Sequence, residues 1–465
     1  MSSRRKFLQN LSSTALFLSS GSISKLMAEE IYEKRIIPWE KKFSSNDKVR
    51  LAVIGTGIQG HSDLQAALKV PGVELAAACD LYTGRLERMK ELYGNDLFTT
   101  KDYREILEKK DIDAVLIATS DNWHSRISID ALNKGKHVYC EKPMVHRLSQ
   151  GWEVIHAWKK SGKVMQVGSQ GISGADFAKA KELYQAGEIG QLNCIEATYD
   201  RQSAIGAWQY TIPTDDSPQT VDWDRYVAMM NPKPKYDRKK FFWWRNYKDF
   251  GTGMSGDLFV HLLTGIHYVT GSKGPRKIFA AGQLCYWKDG RDVPDVMIAI
   301  MDYPETKEHP AFQTMLRVNF ISGSGDRSLV RYIGSEGMME KTWNGVRISH
   351  SIMAKAPGIG GWDSLNTYPK VMQDELKKRY DEKWTTEDKK APVKPAVQFQ
   401  APADNDEHVE HFINFFEGVR RGKPVIEDPV VGFRAAAPCL AANDSYFHKK
   451  IINWDAEKMQ LVKMM

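Results

Sequence analysis

The sequence predicts an α/β protein in which an N-terminal doubly wound parallel sheet precedes a C-terminal α/β domain with a large open, mostly antiparallel sheet. Three observations carry this. Short apolar strand-like runs alternate with helix-like runs from residue 49 to about 168. The first of those strands closes directly on Gly55-Thr56-Gly57-Ile58-Gln59-Gly60. Beyond residue 168 the rhythm changes, and strand-like runs lie close together with few helices between them.

The elements follow in order. Residues 49–54 form a buried strand, residues 62–69 a helix, and residues 73–79 a second strand ending at Asp80. A helix at 103–109, a strand at 114–119, a helix at 125–133 and a strand at 137–140 complete the alternation. In the second domain, strands are expected at 192–199, 277–284, 296–301, 314–320 and 328–333, with helices at 408–420 and 432–447. The stretch 351–403 lacks periodicity and is rich in Lys, Asp, Glu, Gly and Pro. It reads as an insertion or arm, mobile or packed on a neighbour. The domain boundaries are therefore 1–28, 29–47 (a polar linker), 48–168 and 169–465.

The chain has 465 residues, 42% hydrophobic and 26% charged, an ordinary globular composition. Its net charge of +7 is dispersed, without the basic run or motif that nucleic-acid binding requires, so no nucleic acid is expected. The five cysteines, Cys79, Cys140, Cys194, Cys285 and Cys439, form no paired motif, and their odd number argues against a disulfide framework. Residues 1–28 combine a charged head (Arg4-Arg5-Lys6), a short apolar middle and a small-residue exit. Those are the parts of an export signal, and the paired arginines before Phe7-Leu8 resemble the twin-arginine type. A periplasmic or otherwise exported location is expected, with no membrane span in the mature chain.

The glycine motif follows a strand, opens a helix and has Asp80 twenty positions after Gly60, which together read as a Rossmann dinucleotide-binding turn. Gly55 permits the tight turn, Gly57 lets backbone approach a pyrophosphate, and Gly60 lets helix and sheet pack closely. Thr56, Ile58 and Gln59 complete the loop, whose N–H groups and helix dipole suit phosphate. Asp80 can accept from ribose hydroxyls and would repel a 2′-phosphate, favouring NAD over NADP.

Cys140-Glu141-Lys142-Pro143, with Thr119-Ser120-Asp121-Asn122-Trp123-His124 and Gly135-Lys136-His137-Val138, resembles the glucose–fructose oxidoreductase / inositol dehydrogenase (Gfo/Idh/MocA) family. The resemblance runs on through residues 251–261 and the closing 445–455 stretch. It implies NAD(P) at the carboxyl ends of the parallel strands, near Thr119 and His124, with a sugar or polyol over the nicotinamide. It further implies that Lys142 stands near the reacting hydroxyl and that Glu141 faces the cofactor ribose. Asp257 and His261 become the substrate-side pair, His261 being the general base. Members often carry an acid three residues beyond that histidine, where this chain has Thr264.

The residues point the same way. Asp257 and His261 are four apart on an expected helix and so share a face. A histidine beside a carboxylate titrates near neutrality and can accept an alcohol proton, while the Lys142 ammonium stabilises the alkoxide. The alternative is a buried capping aspartate and a core histidine. Trp208, Tyr210, Trp244 and Arg245 are candidate sugar contacts, because aromatic faces stack on the C–H faces of sugars. No metal-ligand pattern occurs and no metal is expected.

An exported NAD enzyme must hold its cofactor tightly and restore its redox state within one cycle. Oxidation of a secondary hydroxyl, such as C3 of a sugar or glycoside, is favoured. Glycoside cleavage by transient oxidation and elimination is the first alternative, although relatives of that kind usually lack the lysine found here as Lys142. A non-catalytic carbohydrate-binding or sensory protein is the second. The open sheet leads to an expectation of a homo-oligomer.

Overall fold

The computed structural model describes residues 48–343 and 345–462. The expected export signal and linker, residues 1–47, lie outside the described residues. The first sheet has six parallel strands in the order β3-β2-β1-β4-β5-β6. Its elements are β1 (Val49–Ile54), α1 (Ile58–Leu68), β2 (Val73–Cys79), α2 (Thr83–Tyr93), β3 (Phe98–Thr100) and α3 (Tyr103–Glu108). They continue with β4 (Ala114–Ile117), α4 (Asp121–Asn133), β5 (His137–Glu141), α5 (Gln150–Ser161) and β6 (Met165–Gly168). The chain reverses at β1, so β1 and β4 diverge to opposite halves and leave a crevice at their carboxyl ends, where such sheets bind ligands.

The second domain contains α6 (Ala175–Gln185), β7 (Leu192–Asp200), α7 (Val260–Thr270), β8 (Lys277–Gln283), β9 (Val296–Tyr303), β10 (Phe312–Asn319), β11 (Arg327–Gly334) and β12 (Gly337–Lys341). It continues with β13 (Gly345–His350), α8 (Lys370–Lys383), β14 (Val397–Gln400), α9 (Glu407–Arg421), α10 (Pro429–His448), β15 (Ile452–Asp455) and β16 (Gln460–Leu461). Its ten strands run in the order β14-β13-β12-β11-β7-β10-β9-β8-β15-β16, antiparallel except for the β7–β10 pair. One face is covered, with α10 against β8, α7 against β7 and α6 against β12 and β13. The other face leaves Phe279, Ile298, Ile300 and Met315 exposed. No helix among the described residues is long and apolar enough to cross a membrane.

Period-two alternation divides the first sheet between two cores. Ala52, Ile54, Val115 and Ile117 face α3, α4 and α5. Val49, Leu51, Val53, Ala114 and Leu116 face α1 and, from far along the chain, Phe412, Phe415 and Phe416 of α9. Tyr139 of β5 stacks on Phe412 with ring centroids 4.3 Å apart. Each phenylalanine buried there is worth about 1.5–3 kcal/mol. The first domain thus borrows a helix from residues 407–421, which a division at residue 168 assigns wholly to the second domain. A sheet face left half bare by α1 and α2 explains the return.

The stretch 351–403 also differs from the expectation of irregular chain. It contains α8, none of whose residues is buried, and ends in β14, which extends the sheet edge by pairing with β13.

Candidate active site

The glycine turn is built for close approach. Gly55 adopts φ +90°, and a Cβ there would lie 2.5 Å from the Ala118 carbonyl oxygen. A Cβ on Gly60 would lie 2.0 Å from the Gly55 carbonyl oxygen, so α1 can sit on the turn only without a side chain. Ile58 is 68% exposed at the start of α1, on the wall of an open cleft. Gly57, Gln59, Asp80 and Thr119 line the same cleft. A bare backbone at a helix N-terminus, an apolar side chain facing the opening and a carboxylate at the end of β2 together fit a dinucleotide.

Asp80 has more work than accepting from a ribose. Its Oδ2 accepts from Thr56 N (2.9 Å) and its Oδ1 from Tyr82 N (2.9 Å), which ties the turn to the end of β2. Arg85 of α2, not singled out in the sequence, pairs with Asp80 at 3.3 Å. The Arg85 guanidinium would stand 3.6 Å from a Cβ on Gly57, over the turn. The sequence signal was available: an arginine five residues after the acid, near the start of the next helix.

The cleft is roofed by chain 201–254, which leaves β7 and crosses back over the first domain. Thr83 N donates to Thr220 O at 3.0 Å and Asp222 N to Leu81 O at 2.9 Å. Arg225 pairs with Asp102 at 2.8 Å, and Trp123 Nε1 donates to Tyr226 O at 2.9 Å. Tyr210, Trp244 and Arg245 from this strap line the cleft beside the glycine turn. Arg245 lies over the Trp244 ring at 4.1 Å and reaches Asp257 through Nε at 3.3 Å. Trp208, expected beside them, is instead 1% exposed and packs edge-on against Phe320 at 4.7 Å. It is a core residue, held in the left-handed backbone region with φ +63°.

Behind Arg245, which lines the cleft and reaches Asp257, the structure brings together Lys142, Asp257 and His261. Lys142 Nζ donates to Asp257 Oδ1 at 3.0 Å and to Asp257 O at 3.1 Å. Asp257 lies in a π turn, Ser255–Phe259, that runs straight into α7, and such widened turns often mark functional positions. Burial alone would raise the Asp257 carboxyl, but the Lys142 and Arg245 cations hold it well below the usual carboxylate range. His261 is pushed well below its ordinary value, first by burial and then by the Lys142 cation, with Asp257 opposing. The expectation of titration near neutrality is therefore corrected: the Asp257 charge is spent on Lys142 and Arg245. A neutral imidazole results, which is the form that accepts a proton. Its ring lies tilted 6.0 Å from Tyr199.

Other expected residues serve as supports. His124 is 1% exposed, with Nδ1 2.8 Å from Pro143 O and Nε2 3.1 Å from Thr119 O. It latches α4 to the turn carrying Lys142 and does not itself reach the cleft. Glu141, which the resemblance turns toward the cofactor ribose, is buried and accepts from Gln170. Thr264 Oγ1 donates to Val260 O at 2.8 Å and lies 3.4 Å from Ser169 Oγ. Ser169 in turn donates to Glu427 through Oγ (3.0 Å) and N (3.1 Å). Burial pushes Glu427, in the loop before α10, up to about 8, and Ser169 links it to Thr264. No local pattern around residue 427 announces it.

A roofed glycine turn and a lysine–aspartate–histidine cluster at the crevice of a doubly wound sheet define a two-domain, dinucleotide-binding α/β protein. Residues 49–169 match the model of the Gfo/Idh/MocA family, described as oxidoreductase family, NAD-binding Rossmann fold; the first domain is that NAD-binding domain. The chain is similar to inositol 2-dehydrogenase of Salmonella paratyphi B, 30% identical over 175 residues, 37% of this chain and 50% of that protein. It is also similar to a glycosyl hydrolase family 109 protein of Shewanella baltica, 30% identical over 165 residues, 33% of this chain and 35% of that protein. The matches thus span half or less of these curated relatives. Among solved structures, a levoglucosan dehydrogenase in complex with NADH and levoglucosan superposes with a TM-score of 0.62. It has 17% identity and covers 87% of this chain and 99% of that one.

Proposed function

We propose that the protein is an NAD-dependent oxidoreductase that oxidises a secondary hydroxyl of a sugar or glycoside, such as C3. The observation that carries this reading is the buried Lys142–Asp257 pair with His261 one turn further on, beside the NAD-binding crevice. His261, held neutral, takes the hydroxyl proton, and the Lys142 ammonium stabilises the oxygen left behind. Asp257 and Arg245 fix the position of that ammonium. Gly55, Gly57, Gly60 and Asp80 would hold the dinucleotide, in a cleft that Thr119, Tyr210, Trp244 and Arg245 also line. When bound, NAD supplies the hydride acceptor.

Tight retention of the cofactor belongs to this reading, and the strap over the cleft supports it. The same reading takes residues 1–28 as an export signal of the twin-arginine type, which passes folded proteins together with a bound cofactor. The exposed apolar face of the second sheet supports a homo-oligomer. A second reading, glycoside cleavage by transient oxidation and elimination, is favoured by the similarity to a glycosyl hydrolase family 109 protein.

The test is to denature the purified, undialysed protein and measure released dinucleotide per chain, then assay glycosides for keto products and for free aglycone. About one dinucleotide per chain with keto product supports the oxidoreductase, and aglycone release with no net reduction supports the hydrolase. Neither dinucleotide nor product refutes both.

A further inference from the structure

Behind the strand that presents Lys142, two acids share one donor. Asp63 of α1 is 0% exposed, and Glu141, the last residue of β5, is 4% exposed. The amide nitrogen of Gln170 donates to Glu141 Oε1 and lies 3.3 Å from Asp63 Oδ1. The same nitrogen lies 2.9 Å from Tyr139 Oη, so it cannot satisfy every acceptor around it. Gln59 Nε2 donates to Asp63 Oδ1 at 2.8 Å. Asp63 Oδ2 is wholly buried and accepts no hydrogen bond among the described residues.

Two carboxylates brought to one amide in a dry interior cannot both be ionised without a large cost. The charged and titratable groups that face the pair are unevenly placed. Lys142 bears on both acids, and Arg245 on Glu141. Glu427 and Tyr139 stand close on the far side. His408, at the start of α9, has Nδ1 4.0 Å from Asp63 Oδ1 and a side chain 35% exposed. The cations lie on the Glu141 side, which leaves Asp63 as the acid that keeps the proton. Protonated, Asp63 can donate to the Glu141 carboxylate, the acid with which it interacts directly. Burial pushes Glu141 up to about 7 and Asp63 higher than its ordinary value, in the same sense.

We propose that Asp63 and Glu141 share a single proton behind the strand that presents Lys142, and that His408 exchanges this proton with solvent. The role rests on the proposed sugar oxidation. There the hydroxyl O–H bond breaks and its proton goes to His261, the hydride acceptor being what NAD would supply when bound. His261, held well below its ordinary value, does not keep that proton, so a later reduction of a carbonyl in the same cycle needs another one at the oxygen. A buried acid poised near neutrality stores one, and His408, which also bears electrostatically on His261, connects the store to water. Asp63 and His408 are positioning and relay residues, since neither belongs to the substrate-side cluster.

The test is infrared spectroscopy of the holoenzyme at neutral pH, with aspartate side-chain carboxyls labelled with carbon-13. A protonated-carboxyl band that shifts with the label and disappears in Asp63→Asn is expected. The separate band of Glu427 should persist in that variant and disappear only in Glu427→Gln. After transfer to D2O, the Asp63 band should exchange at least about tenfold more slowly in His408→Gln than in the wild type. Absence of any label-sensitive band in the wild-type protein overturns the shared proton, even if Asp63→Asn fails to fold. Unchanged exchange in His408→Gln overturns the relay. Both readouts are independent of turnover, so a protein that shows the band but oxidises no sugar would refute the proposed function instead.

Discussion

Replacing Lys142 by methionine separates what the lysine does for chemistry from what it does for folding. Its Nζ makes two hydrogen bonds to Asp257 and has a side chain only 9% exposed, so its charge acts in a site largely shielded from water. Removing one donor that stabilises a developing oxyanion in such a site costs about 2.7–4 kcal/mol, or roughly 10²–10³ in turnover. Folding should suffer less than the ~3–5 kcal/mol typical of a broken buried pair, because Asp257 keeps Arg245 at 3.3 Å. NAD content should stay at the wild-type level, since the glycine turn and Asp80 are untouched. Loss of the neighbouring cation should also raise the His261 pKa toward its ordinary value, moving the acid limb of the pH–rate profile upward. Single-turnover absorbance of the bound reduced nicotinamide, beside a denaturant midpoint and a dinucleotide assay, measures all three effects. Turnover within about threefold of wild type, with cofactor intact, would refute the assignment of Lys142 to the oxyanion.

Gly60→Ala forces a Cβ to within 2.0 Å of Gly55 O, and overpacking of about 1–3 kcal/mol should appear as a roughly 10–100-fold loss of NAD affinity by calorimetry. Trp208→Ala should cost about 3–5 kcal/mol of stability, while Trp244→Ala, on the cleft wall, should weaken ligand binding with a much smaller shift in denaturant midpoint. Acid should destabilise the fold through His411, whose burial lowers its pKa to about 4. Between about pH 6.5 and 4 the unfolded chain takes up a proton that the folded chain refuses. Stability therefore falls as pH falls, by roughly 3 kcal/mol at most, and His411→Gln should flatten that slope in urea titrations. Glu427 runs the other way, because its folded pKa is raised to about 8. Its contribution is complete below about pH 4.5 and is lost as pH rises through 8, so Glu427→Gln should gain on the wild type across that window. A constant difference between the two proteins at every pH would contradict this.

What the sequence by itself determined is local in origin. The glycine turn and Asp80 are legible because a tight turn, a close backbone approach and a strand-end acid each need one residue type at a set spacing. The long strands of the second sheet are legible because one face is covered and the other open, so their side chains alternate. Lys142, Asp257 and His261 were visible as motifs, each on its own stretch of chain. Only the tertiary structure decided how their charges divide, and with them the protonation state of His261. Distance alone decides whether a carboxylate is spent on a lysine, an arginine or a histidine. The same holds for the strap that roofs the cleft, the turning inward of Trp208, and the return of α9 to complete the first domain's core. It holds as well for the meeting of Asp63, Glu141 and Glu427 from positions far apart in the chain. Such contacts depend on which buried faces remain uncovered once the sheets have formed, and no local pattern of residues records that.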